Sequence, residues 1–228
     1  MSEETSDLDA LVRRVDPERW LSSRFVADPL ARADVVALYA FDHELARAPR
    51  AASNALLGEI RLTWWREVLD EAYEGRPVRH HPTAQALAEA IVRRDLPREP
   101  LETMIDARYR ELDAEPFTET EALDWARDTG GLTAQTAAFL LDPGGPAELA
   151  LAAGSAWSLA RRIPEAPQLR SACGHVLTAA RSAARALSVR AFPAVAHATL
   201  AADRARGLTR GEIAARIKLT VAVARGRI

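Results

Sequence analysis

ADVVALYAFDHELARAPR, residues 33–50, and IRLTWWREVLDEAYEG, residues 60–75, are the two stretches of this chain that decide its fold. In the first, Val35, Leu38, Asp42 and Leu45 recur at spacings of three and four, the period of one helix face. The other side chains of that face are apolar, so Asp42 is predicted to be buried. A buried acid requires a partner or a function. We therefore predict two long packed helices with an acid inside their core.

The second stretch predicts a tryptophan-containing helix with two apolar seams. The seams comprise Leu57, Ile60, Trp64 and Val68 on one side, and Leu62, Trp65, Leu69 and Tyr73 on the other. Because both seams are apolar, we expect this helix to be buried on most of its circumference. Trp64 and Trp65 either pack in the core or stack on a ligand, and we favour the core.

Start and stop signals divide the rest of the chain into further helices. The start signals are Ser6 with Asp9, Asp16-Pro17, Asp28-Pro29, Ser53, Pro82-Thr83 and Thr118 with Glu121. Pro49 and Gly75 are predicted to end the two long helices. No segment alternates polar and apolar residues between hairpin turns, so strands are not expected. The prediction is an all-α, single-domain helical bundle, with 1–15 as a partly flexible N-terminal segment and 16–228 as the helical domain.

Charge and cysteine content exclude several classes of function. The chain has 228 residues, with 30 basic and 32 acidic side chains mixed along it, so no basic stripe indicates nucleic-acid binding. Cys173 is the only cysteine, which rules out an internal disulfide and fits a reducing compartment. The acidic N-terminus is unlike a signal peptide, and no run approaches the roughly 18 apolar residues of a transmembrane helix. We expect a cytoplasmic protein.

Candidate metal ligands are few. The five histidines have no metal-site spacing, and His80-His81 is expected to be exposed in a loop. Acidic residues follow one edge of the tryptophan helix, namely Glu67, Asp70, Glu71 and Glu74. They suit either a divalent cation or a solvated helix face, and we favour the solvated face. No metal site is predicted.

Several segments together resemble the squalene/phytoene synthases, head-to-head prenyl transferases with the all-α isoprenoid (terpenoid) synthase fold. The segments are Tyr39-Ala40-Phe41, Arg61-Leu62 with Trp64-Trp65-Arg66, the break between Leu123 and Gly131, and Phe192-Pro193. The resemblance extends from about Trp20 to the C-terminus. It implies an isoprenoid-synthase-type bundle.

The chain departs from this family at both aspartate-rich motifs, which hold the Mg²⁺ ions of a prenyl diphosphate. By the resemblance, the first aspartate pair falls at Ala46 and Arg47. The second motif falls where this chain has Arg161, Arg162 and Glu165. The resemblance therefore implies that no catalytic residue and no cofactor is retained.

Ala40-Phe41-Asp42-His43-Glu44-Leu45-Ala46 is similar to a branch of the family that contains a mitochondrial respiratory complex I assembly factor. This similarity implies a pseudoenzyme that binds a protein partner and also an isoprenoid or lipid. The protein is expected to be at most peripherally associated with the inner membrane. The alternative is a divergent, Mg²⁺-dependent prenyl transferase that uses Asp42, Glu44 and Glu165. A third interpretation keeps the pocket without the metal, and Arg47, Arg161 and Arg162 contact a phosphate directly. The predicted ligand-binding residues are thus Tyr39, Asp42, Glu44, Arg47, Arg161, Arg162 and Glu165.

Overall fold

The computed structural model describes residues 3–50 and 54–228, with side chains from Leu8 onward within these ranges. The described chain forms α-helices joined by short 3-10 and π segments and contains no strand, which confirms the all-α prediction. The helices are α1 (Glu3–Val15), α2 (Pro17–Ser23), α3 (Pro29–Arg50), α4 (Ala55–Tyr73), α5 (Pro82–Arg94), α6 (Arg98–Tyr109), α7 (Glu119–Ala126), α8 (Leu132–Leu141), α9 (Leu151–Arg162), α10 (Arg170–Ala184), α11 (Ala201–Ala205) and α12 (Glu212–Arg225). None of these helices has the length and apolar composition needed to cross a bilayer.

Local capping chemistry explains several helix starts. Asp16 caps α2, because its side chain accepts a hydrogen bond from the backbone N–H of Arg19 at 3.2 Å. Thr118 and Glu121 form the predicted capping box of α7. The helix α1 begins at Glu3, so the predicted start at Ser6 is wrong and Ser6 lies inside the helix.

Two details at the ends of the long helices differ from the prediction. α3 continues through Pro49 to Arg50, because a proline in the last turn removes only one intrahelical hydrogen bond. Asn54 caps α4 through a 3.0 Å hydrogen bond from the backbone N–H of Leu57, and the predicted start at Ser53 lies outside the described residues. Gly75 ends α4 as predicted, with a left-handed φ of 68°.

The tryptophan helix α4 buries most of one seam and only Val68 of the other. Leu62 and Leu69 are fully buried, and Trp65 packs edge-on against Phe41 of α3 with ring centroids 5.3 Å apart. Leu57 and Ile60 of the other seam are exposed. The prediction that α4 is buried on most of its circumference is therefore wrong. A second apolar stripe is not by itself a sign of burial, since folded surfaces keep many apolar atoms.

A close backbone contact sets the position of α9. Residues Arg127–Gly131 form a π-helical turn at the predicted break between α7 and α8. A Cβ on Gly154 of α9 would lie 1.9 Å from the carbonyl oxygen of Gly130, so only glycine permits this approach. The contact holds the C-terminal half of α9 in the bundle, where Trp157 is fully buried and the following residues face α3.

Candidate functional site

A polar cavity of about 150 Å³ lies between α2, α3, α6, α7 and the end of α9. Its lining residues are Arg19, Asp42, Ala46, Arg50, Arg108, Trp125, Ser158, Arg161, Arg162 and Glu165. Residues 42–46 of α3 and residues 161–165 at the end of α9 therefore line the same cavity. These are the two segments where the resemblance locates the aspartate-rich motifs. Five of the lining side chains are arginines and two are acids.

Asp42 is the central acid of this cavity and binds two arginines. It accepts hydrogen bonds from Arg19 on one carboxylate oxygen and from Arg108 on the other, the latter at 2.7 Å. The side chains of Arg19 and Arg108 are only 3% and 5% exposed. Burial alone would raise the pKa of Asp42, but the two guanidinium charges and their hydrogen bonds hold this pKa well below its ordinary value. Asp42 is therefore ionised, and both of its oxygens are occupied by arginine.

The ion pairs continue from Arg19 toward α9. Asp16, the cap of α2, lies 3.7 Å from the guanidinium of Arg19 and accepts a 2.7 Å hydrogen bond from Arg161. Burial would raise the pKa of Asp16, but the charges of Arg161 and Arg19 hold it below its ordinary value. One acid thus serves both as a helix cap and as the anchor of Arg161.

On the other side, the ion pairs run from Arg108 to Glu111. Arg108 donates to Glu111 at 2.7 Å, and the indole N–H of Trp125 donates to the same carboxylate at 2.9 Å. Arg50 and Arg162 each lie 3.8 Å from the second oxygen of Glu111. The cavity therefore contains one continuous chain of alternating charges from Arg161 to Arg162.

Arg162 also lies over aromatic rings. Its guanidinium carbon is 4.2 Å from the ring centroid of Phe117 and 4.8 Å from that of Trp125. Burial lowers the pKa of Arg162. Glu165 lies beyond it and is exposed, and among the described residues it has no ion-pair partner. It is the one acid of the cavity lining that arginine does not bind.

The other predicted ligand-binding residues lie elsewhere. Tyr39 is buried behind Arg19, whose guanidinium lies 5.4 Å from its ring centroid, and burial raises the pKa of the tyrosine hydroxyl. Glu44 and Arg47 form an ion pair of 3.1 Å outside the polar cavity. One residue along a helix is a rotation of about 100°, so Ala46 faces the cavity and Arg47 does not.

Glu44 and Arg47 line a separate, mainly apolar cleft of about 290 Å³. Its other lining residues are Ala48, Ile60, Arg61, Trp64, Trp65 and His81. Trp65 is buried, whereas Trp64 is half-buried and meets the rings of Trp65 and His81 edge-on. Both tryptophans thus line this cleft, and Trp65 also packs in the core.

The acidic edge of α4 is neutralised by arginines. Arg79 binds both Glu67 and Glu71, at 2.9 Å for Glu71, and Arg98 binds Asp70. Glu71 is buried rather than solvated, which differs from the prediction for this residue. No group of three or more potential ligands spaced for a metal ion occurs among the described side chains, those of residues 8–50 and 54–228.

Sequence reasoning did not find the principal partners of Asp42. Arg19 and Arg108 are remote from Asp42 in sequence and belong to helices that carried no predicted site residue. The available signal was the buried acid itself, which requires cations nearby. It could not identify them, because any of the 30 basic residues would satisfy that requirement.

Comparison with known proteins gives a family model match, to squalene/phytoene synthase, over residues 12–171. NADH dehydrogenase (ubiquinone) complex I, assembly factor 6, from Bos taurus is 31% identical over 114 residues, 50% of this chain and 34% of that protein. The Homo sapiens protein is 30% identical over 114 residues, which again cover 50% of this chain and 34% of that protein. The match thus spans about a third of the length of these relatives.

Solved structures agree with the fold over nearly the whole chain. A dehydrosqualene synthase in complex with ligand has a TM-score of 0.72 at 14% identity, covering 98% of this chain and 96% of that one. Squalene synthase HpnC from Alicyclobacillus acidocaldarius has a TM-score of 0.67 at 16% identity, covering 98% and 94%. The predicted isoprenoid-synthase-type bundle is confirmed. The chain belongs to the squalene/phytoene synthase family.

Proposed function

We propose that this chain is a non-catalytic member of its family, which acts through a protein partner in the assembly of a respiratory NADH dehydrogenase complex. We further propose that it works at the surface of the inner membrane and also binds an isoprenoid or lipid. The observation that carries the proposal is the arginine pairing of Asp42, both of whose oxygens accept hydrogen bonds from buried guanidinium groups.

The chemistry of prenyl transfer explains why this pairing matters. A prenyl diphosphate ionises when Mg²⁺ ions, held by several carboxylate oxygens, neutralise the departing diphosphate. Asp42 in the cavity lining is bound by arginine, as are Asp16 and Glu111, which pair with arginines of that lining. Of these acids and Glu165, only Glu165 is free of an ion pair in the described chain. One free carboxylate is too few for a site of two or three Mg²⁺ ions.

The similarity to assembly factor 6 supports the choice of role. It covers half of this chain at 31% identity over 114 residues. The apolar cleft beside Trp64 and Ile60 supports the isoprenoid or lipid part of the proposal, because its walls suit a hydrocarbon.

The proposal is tested by deleting the gene in its own host. We expect less assembled NADH dehydrogenase complex on native gels, lower NADH–quinone oxidoreductase activity and an unchanged isoprenoid profile. Wild type and Glu165→Gln should both restore the complex, because Glu165 makes no ion pair in the described structure. An unchanged complex in the deletion strain would contradict the proposal.

The same experiment separates the divergent prenyl transferase. Asp42 and Glu165 share the polar cavity, whereas Glu44 lines the apolar cleft, so the three acids of that alternative do not converge. If the enzyme alternative holds, deletion removes a specific isoprenoid product, and Glu165→Gln fails to restore it.

A further inference from the structure

The C-terminal part of the chain has a charge unlike the rest. Residues 204–228 contain seven arginine and lysine side chains and one acid, Glu212, whereas the whole chain has a net charge of −2. The preceding residues therefore carry an excess of acids. This local excess of positive charge includes all of α12.

One face of α12 docks on the bundle. Ala215, Leu219 and Ala222 are buried, at spacings of three and four. Lys218 donates to Asp203 at 2.7 Å, and Arg210 before the helix binds the same carboxylate. The helix is thus fixed in orientation by an apolar face and an anchored lysine.

The opposite face of α12 is apolar and exposed. Ile213, Ile217 and Val221 are 77%, 60% and 41% exposed and follow one another every four residues. Arg216 and Arg225 flank this stripe on its two sides, and neither has an ion-pair partner in the described chain. A docked helix with a second apolar face is unusual, because an amphipathic surface helix normally turns its polar face outward.

We infer that the outward face of α12 binds the surface of a bilayer that contains anionic phospholipid. This role of α12 rests on the membrane association in the proposed function. It adds to it the surface that binds and the charge of the lipid. The stripe is aliphatic, and the helix of 14 residues can lie flat with its side chains at the acyl boundary. Flanking arginines then meet the lipid phosphates.

Charge favours a membrane over a second copy of the chain. Two copies joined through this stripe would bring together two segments of net positive charge, and like charges repel. An anionic bilayer complements Arg216 and Arg225 at once. Arg204 and Arg210 are bound by Glu18 and Asp203, whereas Arg206 has no ion-pair partner in the described chain and adds to the attraction.

The test is co-sedimentation of the purified full chain with vesicles of phosphatidylcholine, with and without phosphatidylglycerol. We expect binding only to the anionic vesicles, and weaker binding as ionic strength rises. Ile213→Ser with Ile217→Ser should abolish the binding. Each of Arg216→Gln and Arg225→Gln should weaken it about fivefold, the effect of one charge near an anionic surface.

Matched controls use exposed residues of other helices. Val92→Ser removes an exposed aliphatic side chain from α5, and Arg181→Gln with Arg185→Gln removes two charges at and just beyond the end of α10. Neither should change vesicle binding. Circular dichroism and urea unfolding establish that all variants are folded to the same degree.

The outcomes distinguish this inference from the proposed function. Equal binding by wild type and the Ile213/Ile217 variant would overturn the role of α12 and leave membrane association intact. Failure of wild type to bind any vesicle would overturn both the role of α12 and the membrane association. The assembly role is tested separately by gene deletion. A wild-type dimer that the serine variant converts to a monomer, without vesicle binding, would assign the face to a second copy instead.

Discussion

Replacing Asp42 with asparagine is the substitution whose effect the structure predicts most sharply. Asparagine keeps the shape of the side chain but removes the negative charge between Arg19 and Arg108. Both guanidinium groups are almost fully buried, so neither can recover its hydration without local unfolding. We expect Asp42→Asn to destabilise the fold strongly while leaving its secondary structure intact.

The magnitude follows from what the two arginines retain. Removing one partner of a buried ion pair costs about 3–5 kcal/mol. Here Arg108 keeps Glu111 at 2.7 Å and Arg19 keeps Asp16 at 3.7 Å, so the lower end of that range applies. A loss of about 3 kcal/mol in unfolding free energy lowers the urea midpoint by roughly 1–3 M for urea m-values of about 1–3 kcal/mol/M.

The assay is urea unfolding followed by circular dichroism and tryptophan fluorescence, with Glu44→Gln as the matched control. Glu44 pairs with Arg47, whose side chain is 59% exposed, and such a surface pair contributes at most about 1 kcal/mol. An Asp42→Asn variant within about 0.5 kcal/mol of wild type would refute the buried network, since that is the range of ordinary surface substitutions.

Acid titration gives an independent check on the same residue. The folded pKa of Asp42 is lowered, so its contribution is present above the unfolded pKa of about 3.9 and is lost as pH falls through the folded pKa. The stability difference between wild type and Asp42→Asn should therefore be constant at neutral pH and shrink below about pH 4. A difference that disappeared between pH 8 and 6 would implicate another group.

Three further predictions concern residues away from Asp42. Gly154→Ala should destabilise the protein by about 2 kcal/mol or more in urea unfolding, because the added methyl group would meet the carbonyl oxygen of Gly130. Gly174→Ala is the control: it has open space around it and should be neutral or stabilising by up to about 1 kcal/mol. Equal effects of the two substitutions would contradict the backbone contact. Burial raises the pKa of the Cys173 thiol to about 11, so a thiol reagent at pH 8 should react only after unfolding, and fast native labelling would contradict its burial. Burial lowers the pKa of His197 to about 3, so its NMR signals should not titrate between pH 8 and 5, and a titration midpoint near 6.5 would contradict the burial. Because the unfolded histidine binds a proton below about pH 6.5, wild type should lose stability below that pH, and His197→Phe should lose less.

Helices were predictable where short-range chemistry determines them. The cap at Asp16 and the capping box at Thr118 depend on residues three positions apart, so the sequence contains the whole interaction. The break before Gly131 was predictable for the same reason. Long-range packing, in contrast, was not predictable from short-range chemistry. The seam with Leu57 and Ile60 has the same period as the buried seam, and only the placement of neighbouring helices shows which one faces the core.

The candidate site was predictable in position more than in detail. A buried acid on α3 could be inferred from periodicity, and Asp42 is indeed buried. Its arginine partners lie 23 and 66 residues away, and nothing local marks them. Arg47 was grouped with Arg161 and Arg162 because the resemblance aligned it with a motif, yet a single helical step turns it into the other cleft.

Prenyl coupling is the measurement that tests the central claim most directly. Purified protein is incubated with farnesyl or geranylgeranyl diphosphate and Mg²⁺, and the products are compared with those of a catalytic phytoene synthase run in parallel. Because arginines already bind Asp42, Asp16 and Glu111, we expect no coupling product above that of a protein-free control. Any Mg²⁺-dependent coupling product would contradict the account.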